Sequence, residues 1–211
     1  MVWLREAAAA YFAGAAWSEG CYIHHLSLGR ETYVHSVLPP YLGSVYPLAV
    51  PKAPPLHFSH DGKFKIVQVA DLHYSVSRGA CLDTPLAPCP EGSDNLTTTM
   101  LGRVLDAEKP DLVVFSGDQL NGQTTSWDAR SVLAKFARGV TERGIPWAAV
   151  FGNHDEEDGG KKVDQIRMMQ TLPYSLIERG PPDIHGEGNY LLKVKSADPY
   201  VFYNSFCLHN C

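Results

Sequence analysis

Three short polar clusters along the chain combine residue types that bind divalent metals and transfer protons. The first cluster holds Asp71 and His73, two residues apart, and the second holds Asp118 directly after a glycine. The third cluster is the tetrapeptide Gly152-Asn153-His154-Asp155. Carboxylate and imidazole donors suit a borderline divalent ion. These residues therefore predict a metal site, provided that the fold brings the three clusters together.

Four of these residues are candidate metal ligands. An extended backbone would point Asp71 and His73 to one side, because alternate side chains of a strand share a face. Asp118 carries two oxygens and can bridge two ions, and the amide oxygen of Asn153 limits the accumulated negative charge. Two ions about 3.5–4 Å apart can share an activated hydroxide and clamp a phosphoryl group during in-line attack. We therefore expect Asp71, His73, Asp118 and Asn153 to bind two divalent ions.

The other two candidates are expected to handle protons. His154 is predicted to orient the phosphate and to protonate the leaving oxygen, rather than to bind a metal. Asp155, its neighbour, is predicted to fix the tautomer of the His154 ring, as the aspartate of a catalytic triad does. We interpret the remaining histidines of the first 60 residues as surface or linker residues, namely His24, His25, His35, His57 and His60.

An apolar segment precedes each polar cluster. Strands are predicted at residues 64–70, 111–116 and 146–151, with amphipathic helices between them at 97–108 and 128–143. A further helix at 163–172 and a further strand at 189–194 are also predicted. Apolar strands alternating with helices indicate an α/β fold built from βαβ units around a parallel sheet. Ligands bind at the carboxyl ends of such strands, so the three clusters should converge.

The order of the clusters resembles the signature of the calcineurin-like metallophosphoesterase family, D-x-H, then G-D, then G-N-H-D/E. The wider context, VQVADLHYS through GDQLNG to WAAVFGNHDEE, is similar to the small purple-acid-phosphatase-like branch, which includes protein-phosphatase relatives. The resemblance covers residues 57 to 199. It implies an αββα sandwich of which this chain carries the N-terminal part. It also implies hydrolysis of phosphate monoesters or phosphoproteins by two divalent ions, with Mn, Fe and Zn all open.

Two departures from the family pattern affect this interpretation. Asn121 stands where purple acid phosphatases place a metal-binding tyrosine, so no tyrosinate chromophore is implied. The later G-H and G-H-x-H motifs of the family do not follow, which indicates a C-terminally truncated site with impaired activity. A catalytically deficient fragment that binds metal or a partner, and a phosphodiesterase or nuclease, stay as alternatives. Half a sandwich is also expected to leave one sheet face uncovered and prone to association.

The chain divides into three segments on its pattern. Residues 1–55 form an N-terminal segment and Pro-rich linker, 56–199 form the N-terminal part of the phosphoesterase domain, and 200–211 form a divergent tail without a readable pattern. The 18 basic and 23 acidic residues give a net charge of −5, which argues against a nucleic-acid partner. No apolar stretch has the length of a membrane span, and the oligomeric state stays open.

The compartment is also left open between the cytoplasm and the secretory pathway. The Ala-rich run at residues 7–17 is a weak signal-peptide candidate. Cys81 and Cys89 flank a Pro-rich loop and could pair in an oxidising compartment. Asn95 begins an Asn-Leu-Thr sequon, which would accept a glycan in the same compartment.

Overall fold

Three apolar segments form the parallel sheet that the sequence predicts. In a computed structural model, which describes residues 49–77, 81, 92–122, 126–157, 160–198 and 204–208, they are β1 (Ile66–Val69), β2 (Leu112–Ser116) and β3 (Trp147–Val150). Their order in the sheet is β1-β2-β3, and both pairings are parallel. Most of residues 1–55, and the termini of the 200–211 segment, lie outside the described ranges.

Three helices cover one face of this sheet. They are α1 (Ser93–Glu108), α2 (Ala129–Thr141) and α3 (Lys162–Met169). Because sheet order follows chain order, two right-handed crossovers place α1 and α2 on the same side. Trp147 and Phe136 are fully buried there in edge-to-face contact with ring centroids 5.7 Å apart. The α/β prediction is confirmed.

A second sheet covers the opposite face of β2 and β3. It pairs β4 (Tyr190–Val194) with β5 (Asn204–Leu208) in antiparallel register. The inward side chains of β4 form one apolar cluster with the second face of β2 and β3. The members of that cluster include Leu112, Val114, Ala148, Val150, Tyr190, Leu192 and Val194. The expectation of an uncovered face is therefore wrong for β2 and β3.

Two helices differ from their predicted bounds by three or more residues at one end. Helix α1 begins at Ser93 rather than at residue 97, since the buried Asp94 carboxylate lies 2.9 Å from Nζ of Lys135 on α2. This ion pair anchors a first turn whose residues are otherwise weak helix formers. Helix α3 ends at Met169 rather than at residue 172, because the chain tightens ahead of Pro173. The N–H groups of Thr171 and Leu172 each donate at 3.0 Å to the carbonyl three residues back instead of four, and Pro173 disfavours helical backbone at Leu172.

The tail segment contains a strand that the sequence analysis did not find. Residues 204–208 form β5, paired with β4 from Val194↔Asn204 to Tyr190↔Leu208. A five-residue strand carries little periodicity of its own, and its position is set by the partner strand.

The described residues bear on two further sequence features. Cys81 is disulfide-bonded, whereas Cys89 lies outside the described ranges, so the Cys81–Cys89 pairing stays a prediction. Asn95 lies in the first turn of α1, and Thr97 of the same sequon is buried. Within the described ranges, no helix combines the length and hydrophobicity needed to cross a membrane.

Candidate metal centre

The parallel hydrogen-bond pattern continues beyond the ends of β1 and β2 and holds the first two clusters side by side. The backbone N–H of Asp71 donates to the carbonyl of Gly117 at 3.0 Å, and that of His73 donates to the carbonyl of Asp118 at 2.9 Å. Backbone hydrogen bonds therefore hold the first two clusters against each other. This arrangement follows from the shared carboxyl edge of parallel strands.

The backbone at the first two clusters is left-handed rather than extended. Asp71, His73 and Asp118 have φ values of 55°, 46° and 53°. Non-glycine residues rarely adopt this conformation, and it concentrates at functional sites where the surrounding fold holds it. The expectation that Asp71 and His73 align along an extended segment is wrong. They converge because both turn left-handed, with Leu72 buried between them.

Three predicted ligands come together at this edge of the sheet. One ligand atom from each of Asp71, His73 and Asp118 lies within 4.8 Å of the other two. Nε2 of His73 is 3.9 Å from Oδ1 of Asp71. Among the described residues, no lysine or arginine forms an ion pair with either carboxylate. A bound divalent cation would offset the repulsion between the two carboxylates, so this donor set fits a metal ion of the borderline class.

Gly152 brings the third cluster against Asp118. A Cβ at residue 152 would lie 2.1 Å from Oδ1 of Asp118, so only glycine leaves room for that carboxylate. The same oxygen accepts a hydrogen bond from the backbone N–H of His154 at 2.9 Å. Asn153 lies between these two residues and is exposed. Its assignment as a metal ligand stays a prediction.

Asp155 connects the second and third clusters through backbone hydrogen bonds. Its side chain is fully buried. One carboxylate oxygen accepts from the N–H of Asp118 at 2.9 Å and of Gly152 at 2.7 Å, and the other accepts from Leu120 at 2.9 Å. Burial raises the pKa of this carboxyl, whereas the three N–H donors act in the opposite direction. The Asp155 carboxylate is therefore engaged by the backbone of the loop after β2 and by that of its own turn.

The carboxylate beside the imidazole of His154 belongs to Glu157, not to Asp155. Oε1 of Glu157 lies 3.0 Å from Nδ1 of His154. The expected role of Asp155 in fixing the His154 tautomer is thus corrected, because both Asp155 oxygens accept backbone N–H groups. His154 also contacts His73, with ring centroids 5.1 Å apart in an edge-to-face arrangement. This contact places His154 beside the metal-ligand group.

Glu157 is not among the candidate residues that the sequence analysis identified. The available signal was its spacing, since a residue three positions after His154 can face it across a single turn. Its carboxylate raises the pKa of His154 above the usual range, and partial burial of the ring opposes this shift.

Replacing Asp155 tests the structural role assigned to it. We expect Asp155→Ala to lower the free energy of unfolding by about 3 kcal/mol, because three buried backbone N–H groups lose their acceptor. Asp155→Asn should lose less, since one acceptor oxygen is retained. Urea denaturation followed by circular dichroism measures both changes. Glu156→Ala, at an exposed neighbouring position, is the control; an equal loss in that variant would refute the assignment.

Comparisons with known proteins show the family of this chain. A family model described as Calcineurin-like phosphoesterase matches residues 64–209, which is more than half of the chain. The chain therefore belongs to the calcineurin-like phosphoesterase family. The match extends past residue 199 and includes β5, so the family pattern continues into the segment that the sequence analysis treated as divergent.

Several curated proteins are similar to this chain. Phosphatase DCR2 of Saccharomyces cerevisiae is 42% identical over 145 residues, which are 67% of this chain and 25% of that protein. Probable inactive purple acid phosphatase 14 of Arabidopsis thaliana is 42% identical over 147 residues, which are 66% of this chain and 36% of that protein. Probable inactive purple acid phosphatase 28 of the same plant is 36% identical over 163 residues, which are 72% of this chain and 41% of that protein. The chain spans well under half the length of these relatives.

Proposed function

We propose that this chain carries the part of a phosphoesterase site that binds divalent metal and protonates the leaving group, acting on phosphate monoesters or phosphoproteins. The observation that carries the proposal is the convergence of Asp71, His73 and Asp118, with His154 in ring contact with His73. Membership of the phosphoesterase family and similarity to a protein named a phosphatase support it.

Two divalent ions are proposed as cofactors. Asp71, His73 and Asp118 would hold the first ion, and Asp118 with Asn153 would contribute to a second. The chemistry supplied by such ions is polarisation of the phosphate ester and activation of a water nucleophile. Mn, Fe and Zn all accept this mixture of carboxylate, imidazole and amide donors.

His154 is proposed to donate a proton to the leaving oxygen. The Glu157 carboxylate raises the pKa of this imidazole, which keeps the ring protonated at a higher pH and favours an acid role. The backbone N–H of His154 is held by Asp118, so the proton donor and a metal ligand are connected through one hydrogen bond. Asp155 would influence His154 and Asp118 only through the backbone of the loops that carry them.

A chromogenic aryl phosphate tests this function. Purified chain should hydrolyse it slowly when Mn²⁺ is present, and EDTA should abolish the hydrolysis, because the chain's own residues provide no nucleophile in this scheme. Turnover that persists unchanged in EDTA would contradict a metal-dependent site. Restoring Mn²⁺ after chelation is the matched control for irreversible damage.

A second candidate is metal binding without turnover. The names of three plant relatives, the purple acid phosphatases 14, 28 and 29 of Arabidopsis thaliana, include the words "probable inactive". Under this alternative, calorimetry would detect Mn²⁺ binding while the aryl phosphate assay showed no metal-dependent hydrolysis. No specific observation favours a nuclease.

A further inference from the structure

We propose that Glu157 is a positioning residue, which holds the His154 ring so that Nδ1 faces the Glu157 carboxylate and Nε2 is left for proton transfer. This inference rests on the proposed acid role of His154. It assigns a function to an acidic side chain that the sequence analysis did not single out.

The Glu157 and His154 side chains lie on one turn. The backbone N–H of Glu157 donates to the carbonyl of His154 at 3.3 Å, and the turn brings Oε1 of Glu157 to 3.0 Å from Nδ1 of His154. Nδ1 is buried and has no other hydrogen-bond acceptor among the described residues, so Oε1 of Glu157 at 3.0 Å is the acceptor available to it. A proton on Nδ1 would therefore have the Glu157 carboxylate as its acceptor, which favours the ring orientation that the structure shows.

The Glu157 side chain, although partly exposed, also lies against the loop that follows β2. Its other oxygen, Oε2, lies 2.3 Å from the position that a Cβ at residue 122 would occupy. Gly122 therefore leaves the space that this carboxylate fills, and its φ of 65° is a conformation that glycine adopts without strain. Glu157 is thus packed between the His154 ring and the loop that follows β2.

Two other groups beside His154, Asp155 and His73, do not set this orientation. Both carboxylate oxygens of Asp155 accept backbone N–H groups. His73 contacts the His154 ring edge to face, which restricts its tilt but does not select a tautomer. In neutral imidazole, the nitrogen that carries the proton is determined by the hydrogen bond that it makes. Among the described neighbours, Glu157 is the group that lies beside Nδ1.

The tautomer of His154 can be measured on the full chain without metal. Long-range ¹H–¹⁵N correlation spectra of protein labelled with ¹⁵N-histidine report which ring nitrogen is protonated, and His154→Gln assigns the signals. At a pH where the ring is neutral, we expect the Nδ1–H form in the wild type. Glu157→Ala should shift His154 towards the Nε2–H form, whereas Glu157→Gln should restore much of the Nδ1–H form, because its amide oxygen still accepts. Glu156→Ala is the matched control and should leave the spectrum unchanged.

An unchanged His154 tautomer in Glu157→Ala, or an equal shift in Glu156→Ala, would overturn the inference. Kinetics provide a second readout where the metal-loaded chain hydrolyses the aryl phosphate. There, Glu157→Ala should lower kcat by roughly 10- to 100-fold, as loss of an orienting partner typically does, with little change in KM. A wild-type chain without hydrolysis would count against the proposed function alone, since the spectra decide the role of Glu157 independently.

Discussion

Replacing Asp118 with alanine should abolish measurable binding of Mn²⁺ or Zn²⁺ to this chain. Asp118 belongs to the three-residue donor group and is also the residue proposed to bridge two ions. Loss of a group that merely orients a ligand costs roughly 10- to 100-fold in affinity, so loss of a bridging ligand should exceed that range. Isothermal titration calorimetry of the wild type and Asp118→Ala measures the difference.

A matched control separates this effect from a general loss of negative charge. Asp183 is exposed in the loop before β4, and Asp183→Ala removes the same charge far along the chain from the donor group. This variant should bind metal as the wild type does. Equal, tight binding by Asp118→Ala would refute the metal centre as described, and circular dichroism would establish that both variants are folded.

His154→Ala should reduce metal-dependent hydrolysis by roughly 10²–10⁴-fold, the usual contribution of a general acid or base. The metal content should stay unchanged, because His154 contacts the ligand group through His73 rather than belonging to it. Turnover of an aryl phosphate and metal content by mass spectrometry, measured on the same preparation, test both halves of this prediction.

The outcome of the His154 experiment distinguishes two roles for the ring. Loss of bound metal from His154→Ala would show that His154 is a ligand, and the acid assignment would be wrong. His185→Ala is a suitable control, since His185 is exposed in the loop before β4. It should preserve both turnover and metal content.

The sheet and the convergence of its polar clusters could be predicted from the sequence because each signal is local. Each strand is an apolar run followed at once by polar residues, and parallel strands place such residues at one edge. Asp71, His73 and Asp118 were therefore predicted together, and the structure confirms that they converge. The amphipathic pattern of α2 was equally readable, and Asp128 caps it by accepting from the N–H of Ser131 at 3.2 Å.

The features that escaped prediction depend on contacts between distant segments. The left-handed backbone at Asp71 and His73 is only weakly signalled by residue type, because aspartate and histidine adopt it more often than most residues but far less often than glycine. The sequence could not show which carboxylate lies beside the His154 ring. The turn after β3 buries Asp155 against backbone N–H groups and brings Glu157 to Nδ1 of His154. Strand β5 is too short to be recognised apart from β4, against which it pairs.

The most direct test of the metal centre is an anomalous difference map from crystals of this chain soaked in Mn²⁺. The account predicts a strong peak within coordination distance of Asp71, His73 and Asp118, and a second peak between Asp118 and Asn153. Crystals of Asp118→Ala soaked in the same way should lose both peaks. Manganese bound elsewhere on the chain, with no peak at these three side chains, would contradict the account.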